Sequence, residues 1–560
     1  MLDAIAHRGD ETKVASSGPA TIGLRSWAGR AGPTLVEDEA GRIVVQVGQV
    51  VPARDPVELA RAMAAGAPPD GLDGAFALAL WDPASATLTL TRDPFGQRSI
   101  YYMEVGGTLW FATELKQLLT VPGLPVALDP IAVHKYLTFS FVPGEATPIA
   151  GVRRVPPGHV LTWRAGVITT RPWFELVERI APIEQGEAVK RLRQLAREAV
   201  GKRLSPGAPV GLYLSGGIDS SAVGVWLKAL GADVRALTLD FGARSVEREE
   251  ATAVARHLDV PLEVVPVDAA EIGRLLHDVL WKLDLPFGDP VTAPHWLLGR
   301  AARARGLTTV WNGEGGDQLF GGWTSKPMVA AAVYGGSHAD EDAATPEQQY
   351  LKSYHKFYGL EGELYGPALR DVIEPGIRRR VIARFLGEDG ERRASTFLNR
   401  VRLTDLSLKG SQNILPRAER MAAAHGLDLR MPLFDRALAE WSFTLPTSLK
   451  LHGASEKHVL KLAMQGKLPD AIIWRRKFGM SVPVTDWVLG PLKPLVDELL
   501  SDASVKARGL FQPAFVRALR SGQDVASETR KRRLGERLWA LLVLEVWCRR
   551  FVDGRGGGTP

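Results

Sequence analysis

The stretch Gly211-Leu-Tyr-Leu-Ser-Gly-Gly-Ile-Asp-Ser-Ser221 constrains this chain more than any other. Val210 to Leu214 is a short apolar run bounded by turn residues, the pattern of a buried strand. It stops at Ser215-Gly216-Gly217, and helix-forming residues follow through Ala229. The reading is strand, glycine turn, helix. Two glycines let the backbone turn tightly and present N–H groups with no side chain in the way. The helix that follows points its positive end into the turn, which makes the turn an anion site suited to polyphosphate. The alternative is a Gly/Ser-rich connection that binds nothing.

From about residue 188 onward, strands alternate with helices. Val234 to Phe241 and Leu262 to Val267 read as strands, with a helix over Glu247 to His257 between them; a helix through Ala293 to Arg305 precedes the strand Thr308 to Trp311. Such alternation predicts an α/β fold with a doubly wound parallel sheet, in which ligands sit beyond the carboxyl ends of the strands. Ser215 to Ser220 follows one of these strands and Asn312 to Asp317 another. Residues 325 to 465 read as mainly helical, with polar loops at Gly335 to Ala344 and Leu386 to Glu391. The last helix, Arg537 to Phe551, carries Trp539 and Trp547 on an apolar stripe.

The first 175 residues have a different texture. Ile43 to Val47, Ala75 to Trp81, Thr87 to Thr91 and Leu109 to Ala112 are β-type runs separated by turn residues, as in a mostly β or α+β domain. A polar helical stretch near Val177 to Glu187 is expected to join the two parts. At 560 residues the chain exceeds one ordinary core, which agrees with two domains.

Composition excludes several classes. Hydrophobic content of 45% and charged content of 24% are those of a globular protein. A net charge of +6 is small, and the one concentrated basic run, Arg530 to Arg533, reads as a solvated helix face, so no nucleic-acid partner is expected. The single cysteine, Cys548, allows no internal disulfide and reads as a packed thiol. No apolar run reaches the ~18 residues of a membrane span and no secretion signal opens the chain, so a cytoplasmic location without membrane contact is expected.

The loop does not have the spacing of a Walker motif. Its Ser-Gly-Gly-x-Asp-Ser pattern resembles the ATP pyrophosphatases. Asp284-Leu-Pro-Phe-Gly-Asp-Pro290, Gly313-Glu-Gly-Gly-Asp-Gln-Leu-Phe-Gly-Gly322, Leu429-Arg-Met-Pro-Leu-Phe-Asp435, Glu456-Lys-His-Val-Leu-Lys461 and Trp474-Arg-Arg-Lys-Phe-Gly-Met480 follow it in order. Together these motifs resemble the synthetase domain of asparagine synthetases, which are related to β-lactam synthetases and lasso-peptide macrolactam cyclases. The resemblance implies an ATP pyrophosphatase domain over 188–552 with a helical C-terminal part and a disordered tail at 553–560. It implies an AMP-forming carbon–nitrogen ligase. A carboxylate attacks the α-phosphorus of ATP, pyrophosphate leaves, and an amine then displaces AMP.

Site roles follow from the same resemblance. Leu214, Ser215, Gly216, Gly217, Asp219, Ser220 and Gly313 are expected to bind ATP. Asp219 and Asp317 are expected to hold Mg2+, the alternative being turn or helix caps. Two carboxylates at neighbouring strand ends suit an ion that shares its shell with phosphates. Glu314 matches a glutamate that supports adenylation and receives protons from the attacking amine; the alternative is a surface-loop side chain. Lys477 matches a lysine that stabilises the oxyanion and the leaving adenylate, with Arg475 and Arg476 as accessories. Lys457 and Lys461 are one helical turn apart, so both are placed either facing the phosphates or in surface salt bridges. Asp428 stands where the family usually has a glutamate before x-Arg-x-Pro. It is a candidate catalytic residue, and a structural role holding Arg430 ranks ahead of that.

Residues 1–176 resemble the family's glutaminase domain, an α+β fold of the N-terminal-nucleophile (Ntn-like) kind. The matching stretches are His7-Arg-Gly-Asp10, Asp73-Gly-Ala-Phe76, Arg92-Asp-Pro-Phe-Gly96, Phe111-Ala-Thr-Glu-Leu-Lys116 and Val155-Pro-Pro-Gly158. Active relatives begin with a cysteine nucleophile. Here no cysteine precedes Cys548, and the chain starts just ahead of His-Arg-Gly. The family's Asn-Gly-Glu substrate loop aligns with Val47-Gly-Gln-Val-Val-Pro52, which removes the asparagine. A degenerate, inactive glutaminase is therefore expected. The partners are a small carboxylate or peptide substrate and an amine donor, either ammonia or a substrate amine. Asparagine and a peptide macrolactam both remain open as products, and so do a non-catalytic nucleotide binder and a homodimer.

Overall fold

A computed structural model describes all residues except 31, 243–244, 323–349, 352–355, 375, 387–391, 454, 476–481, 523–527 and 555–560. The predicted loop Gly335 to Ala344 and most of the predicted tail lie outside the described residues.

The N-terminal lobe is built on antiparallel strands: β1 (Glu11–Ser17), β2 (Ala20–Ser26), β3 (Thr34–Glu37), β4 (Ile43–Val51), β5 (Asp73–Asp82), β6 (Thr87–Arg92), β7 (Tyr101–Val105), β8 (Thr108–Ala112), β9 (Arg153–Arg154), β10 (His159–Arg164) and β11 (Val167–Pro172). Six of them form one sheet in the order β11-β10-β6-β5-β4-β3. Helix α1 (Pro56–Ala64) covers one face of this sheet, burying Leu59 and Met63 against Phe76, Leu78 and Leu80. The β8-β7-β9 sheet and the β1-β2 hairpin lie on the other face, where alternate residues Val45, Ala77, Ala79 and Leu90 point. Two further helices, α2 (Leu115–Leu118) and α3 (Pro130–Phe139), lead toward the second lobe.

The second lobe is the expected parallel sheet. Strands β12 (Val210–Tyr213), β13 (Val234–Asp240), β14 (Leu262–Pro266), β15 (Thr309–Trp311) and β16 (Asp428–Arg430) lie in the order β14-β13-β12-β15-β16, every pair parallel. Helices α4 (Gln185–Gly201), α5 (Ile218–Ala229), α6 (Val246–Leu258), α7 (Ala269–Leu283), α8 (Thr292–Ala304) and the short α9 (Gly316–Phe320) connect and cover it. The chain runs outward from β12 through β13 to β14, then returns to the other side of β12 with β15. That reversal opens a crevice at the carboxyl ends of β12 and β15, where doubly wound sheets take ligands.

Three expectations are corrected. Val177 to Glu187 is not a helical linker; the helix begins only at Gln185. Pro182 has no N–H and biases Ala181 toward extended geometry. The segment instead lies along the second lobe, its backbone donating from Glu178 to Arg393 O, from Arg179 to Phe443 O and from Ala181 to Thr444 O. The last helix starts earlier than expected, at Glu528, and takes Arg530 to Arg533 into its solvated face. A π-turn over Arg549–Asp553 extends it, and Arg508 pairs with Asp553, which places that residue in the fold rather than in a tail. Trp539, Trp547 and Cys548 are buried in the core.

The lobes are joined by buried charge. Arg203 donates to Asp435 at 2.7 Å and to Asp73 of the N-terminal lobe at 2.6 Å. Asp284, the first residue of one motif, accepts from Lys116 N at 3.1 Å and from Lys116 Nζ at 3.0 Å, and also from Leu115 N. Glu114 is fully buried between Arg8, Lys116 and Arg420. Lys116 of the Phe111–Lys116 motif thus bridges Glu114 and Asp284 at the lobe junction.

Candidate functional site

The glycine turn after β12 has the geometry its sequence promised. Leu214 is buried and pinned by its N–H to Leu237 O at 2.9 Å. Gly216 takes φ +71°, and a Cβ there would lie 2.6 Å from Ala251 N, so only glycine lets the turn pack on α6. Ser215 N donates to Ser220 Oγ at 3.2 Å, Gly217 N to Ser215 Oγ at 3.3 Å, and Ser221 Oγ to Gly217 O at 2.8 Å. Helix α5 starts at Ile218 with no side-chain cap on its first N–H groups. An anion in the turn would satisfy them.

The second motif approaches from β15. Gly211 pairs with Val310 and Leu212 with Trp311, which sets Gly313 against the start of α5. A Cβ at Gly313 would lie 2.6 Å from the Asp219 carbonyl carbon and 2.7 Å from Ser220 Cα. Asn312 is buried; its N–H donates to Arg430 O at 3.2 Å and its Oδ1 accepts from Glu314 N at 3.2 Å, which holds the loop that carries Glu314. Gly315 turns this loop at φ +112°, and Asp317 falls in the first turn of α9. Glu314 is half-buried at this carboxyl end of the sheet.

Asp219 and Asp317 do converge, and they do so on Lys457. Its ammonium lies 2.6 Å from Asp317 Oδ1 and contacts Asp219 Oδ2 as well. Lys457 is buried, and its own charge is held more firmly than usual: burial opposes it, but the two carboxylates prevail. Asp219 Oδ1 is buried without a hydrogen-bond partner. A pair of carboxylates already closing on one cation, with an oxygen to spare, fits Mg2+, which usually takes one or two carboxylates and completes its shell with phosphates and water. Among the described residues no group of three or more His, Cys, Asp or Glu gathers as a metal site, so a multi-ligand protein cage is absent there.

The cations of the second half divide. Lys457 is not on a helix face with Lys461, as the spacing predicted; it precedes the helix His458–Met464 in the left-handed region, φ +54°. Lys461 lies 5.9 Å from the Trp474 ring and 3.5 Å from Ser455 Oγ. Arg475 reaches the phosphate loop: its Nη2 would be 3.9 Å from a Cβ at Gly217, and it is ion-paired with Glu250 of α6. Burial raises the neighbouring Glu247 carboxyl to about 7, with Arg475 opposing the rise. Lys477 and Arg476 lie outside the described residues. Asp428 is not brought to this end. It pairs with Thr309 at the start of β15, whereas Glu314 follows the end of that strand, and its carboxylate holds Arg430 at 2.6 Å and Arg98 at 3.4 Å. The expected contact with Arg430 is the one observed.

Sequence reading missed Glu250, and it missed Lys409 on a π-helix over Asp405–Ile414, whose charge burial opposes but Asp405, Asp317 and Asp289 reinforce. A π-helix leaves no residue-type signature, although such turns recur at functional sites. Separately, a cavity of about 1220 Å3 opens between the N-terminal sheet and the second lobe, lined by Gln46, Val47, Arg98, Trp110, Asp428 and Arg430 among others, and by no residue of the glycine turn.

Comparison with known proteins gives a consistent picture. The asparagine synthase family matches residues 191–549, and the glutamine amidotransferase domain family matches residues 64–174. The chain is 26% identical over 505 residues to asparagine synthetase (glutamine-hydrolyzing) 1 of Bacillus subtilis, covering 85% of this chain and 77% of that protein. It is 28% identical over 524 residues to a putative asparagine synthetase (glutamine-hydrolyzing) of Mycobacterium tuberculosis, covering 86% and 77%. It is also 26% identical over 504 residues to amidase chyE of Penicillium rubens, covering 78% and 74%.

Proposed function

This chain belongs to the asparagine synthase family, and from that membership we propose a ligase that adenylates a carboxylate with ATP and takes its amine directly, without glutamine. The observation that carries the reading is the convergence of Asp219 and Asp317 on a single cation beside the Ser215–Gly217 turn. In this reading the Gly216 N–H and the uncapped N–H groups at the start of α5 bind the pyrophosphate portion of ATP, while the Ser215 and Gly217 N–H groups hold the turn in shape. Asp219 and Asp317 would hold Mg2+, which when bound would supply positive charge to the phosphates. Arg475 adds positive charge above the turn. A substrate carboxylate oxygen attacks the α-phosphorus and pyrophosphate departs. The amine nitrogen then attacks the acyl carbon, AMP departs, and the proton released from nitrogen goes to Glu314. Lys477 is assigned to the developing oxyanion by its place in the motif.

Loss of glutamine use rests on the N-terminal lobe. Val47 stands in β4 where the family's loop carries asparagine, and an isopropyl group donates no hydrogen bond to a tetrahedral intermediate. Cys548 is buried in the other lobe, and burial pushes its thiol up to about 12, so it is no nucleophile for this lobe.

ATP–pyrophosphate exchange, run with aspartate and with short acidic peptides, tests the proposal. Exchange with aspartate supports asparagine synthesis from ammonia. Exchange confined to a peptide supports a macrolactam cyclase instead, in which the peptide's own amine attacks. No exchange with any carboxylate refutes the ligase in favour of a nucleotide-binding protein. Glutamate release from glutamine at a rate comparable to ligation refutes the inactive lobe.

A further inference from the structure

The seat assigned to the metal is filled by one of the chain's own side chains. Lys457 comes from a segment 238 residues beyond Asp219, yet its ammonium sits between Asp219 and Asp317 and is buried there. The backbone is shaped for this placement. Lys457 adopts φ +54°, unusual for a side-chain-bearing residue, at the position just before a helix. Glycines line the pocket: a Cβ at Gly322 would overlap Asp317 Oδ1 and Lys457 Cε, and a Cβ at Gly316 would overlap the Asp219 carboxylate.

We propose that Lys457 is a specificity-determining residue that occupies the metal seat until nucleotide arrives, so that the site takes the metal–ATP complex and rejects the free divalent ion. The inference rests on the nucleotide-site reading above. Charge balance gives the reason. Two carboxylates and one ammonium leave a single negative charge, which attracts a cation only weakly. A divalent ion entering alone would have to expel the ammonium and would bring no anion of its own to receive it. An ion entering with a triphosphate brings several anionic oxygens with it, and the displaced ammonium can move onto them. Discrimination of this kind comes from a repulsive element built into the site.

The test is a titration of Mn2+ into the full-length protein, followed by loss of the free-ion electron paramagnetic resonance signal. Wild type, Lys457→Met and Lys457→Gln are compared without nucleotide and with a non-hydrolysable ATP analogue. Without nucleotide, both variants are expected to bind Mn2+ at least about tenfold more tightly than wild type, the step in an equilibrium constant set by about one charge-assisted hydrogen bond. Adding Asp317→Asn to either variant should abolish the gain. Wild type should bind Mn2+ tightly only when the analogue is present, counted above the signal that the same analogue removes in protein-free solution. The proposal is overturned by a gain below threefold, by a gain that survives Asp317→Asn, or by wild type binding Mn2+ equally well with and without the analogue. The last comparison decides the matter even where a variant fails to fold. Failure of the ligase reading would show separately, as a wild type without pyrophosphate exchange.

Discussion

Gly313→Ala is the sharpest small change available at this site. Gly313 follows β15, and the added Cβ would stand 2.6 Å from the Asp219 carbonyl carbon and 2.7 Å from the Ser220 Cα, with Ser220 N nearer still. Ordinary van der Waals contact begins at 3.4 Å. All three obstructing atoms are backbone, so no rotamer change relieves the overlap. The start of α5 must retreat from β15 by roughly 1 Å, and Asp219 moves with it away from Asp317. A misplacement of ~1 Å in a catalytic arrangement costs about 10²-fold in rate, or about 2.7 kcal/mol of transition-state stabilisation. The global penalty for such overpacking is about 1–3 kcal/mol, small enough for the protein to stay folded. The assay is ATP–pyrophosphate exchange with the best carboxylate, with a thermal melt on the same sample. Gly186→Ala, whose Cβ meets nothing within 4 Å, is the control and should match wild type. Exchange by Gly313→Ala within threefold of wild type would refute the close packing of the two loops on which the site depends.

Other expectations concern the junction between the lobes. Arg203→Met removes the guanidinium between Asp73 and Asp435 and leaves Lys202 as their remaining cation, a loss of about 3–5 kcal/mol in denaturant unfolding for a broken buried pair. Adding Asp73→Asn should recover part of it, and a loss below about 1 kcal/mol would show that the network is neutral. Burial alone would raise the Glu419 carboxyl, but Arg8 and Arg98 overrule it and bring the group down to about 2 from 4.5. Its stabilisation is therefore complete above pH 4.5 and is lost as pH falls toward 2, about 3 kcal/mol in all. Glu419→Gln should flatten that part of the stability curve, and an unchanged acid limb would remove Glu419 from the explanation.

The chain's local grammar and its spatial arrangement contribute different things. The turn Ser215–Gly217, the strand before it, the α/β alternation and the loop Gly313–Asp317 were all legible, because each rests on a few adjacent residues whose backbone demands are strong. Where a local signal was weak the reading failed: Pro182 outweighs the polar helical look of Val177 to Glu187. Other facts were beyond any local signal. That Asp428 sits at the far end of β16 from Glu314 follows from strand register. That Asp284 and Glu114 share Lys116 and Arg420 across the lobes follows from how the two lobes pack. That Lys457 closes the gap between Asp219 and Asp317 follows from strand order, which brings together three residues spread over 238 positions. Hydrogen-bonding patterns and glycine turns are decided within a few bonds. Which charged groups share a cavity is decided by the long-range packing that buries them, and only there does a lysine become a rival for a metal's place.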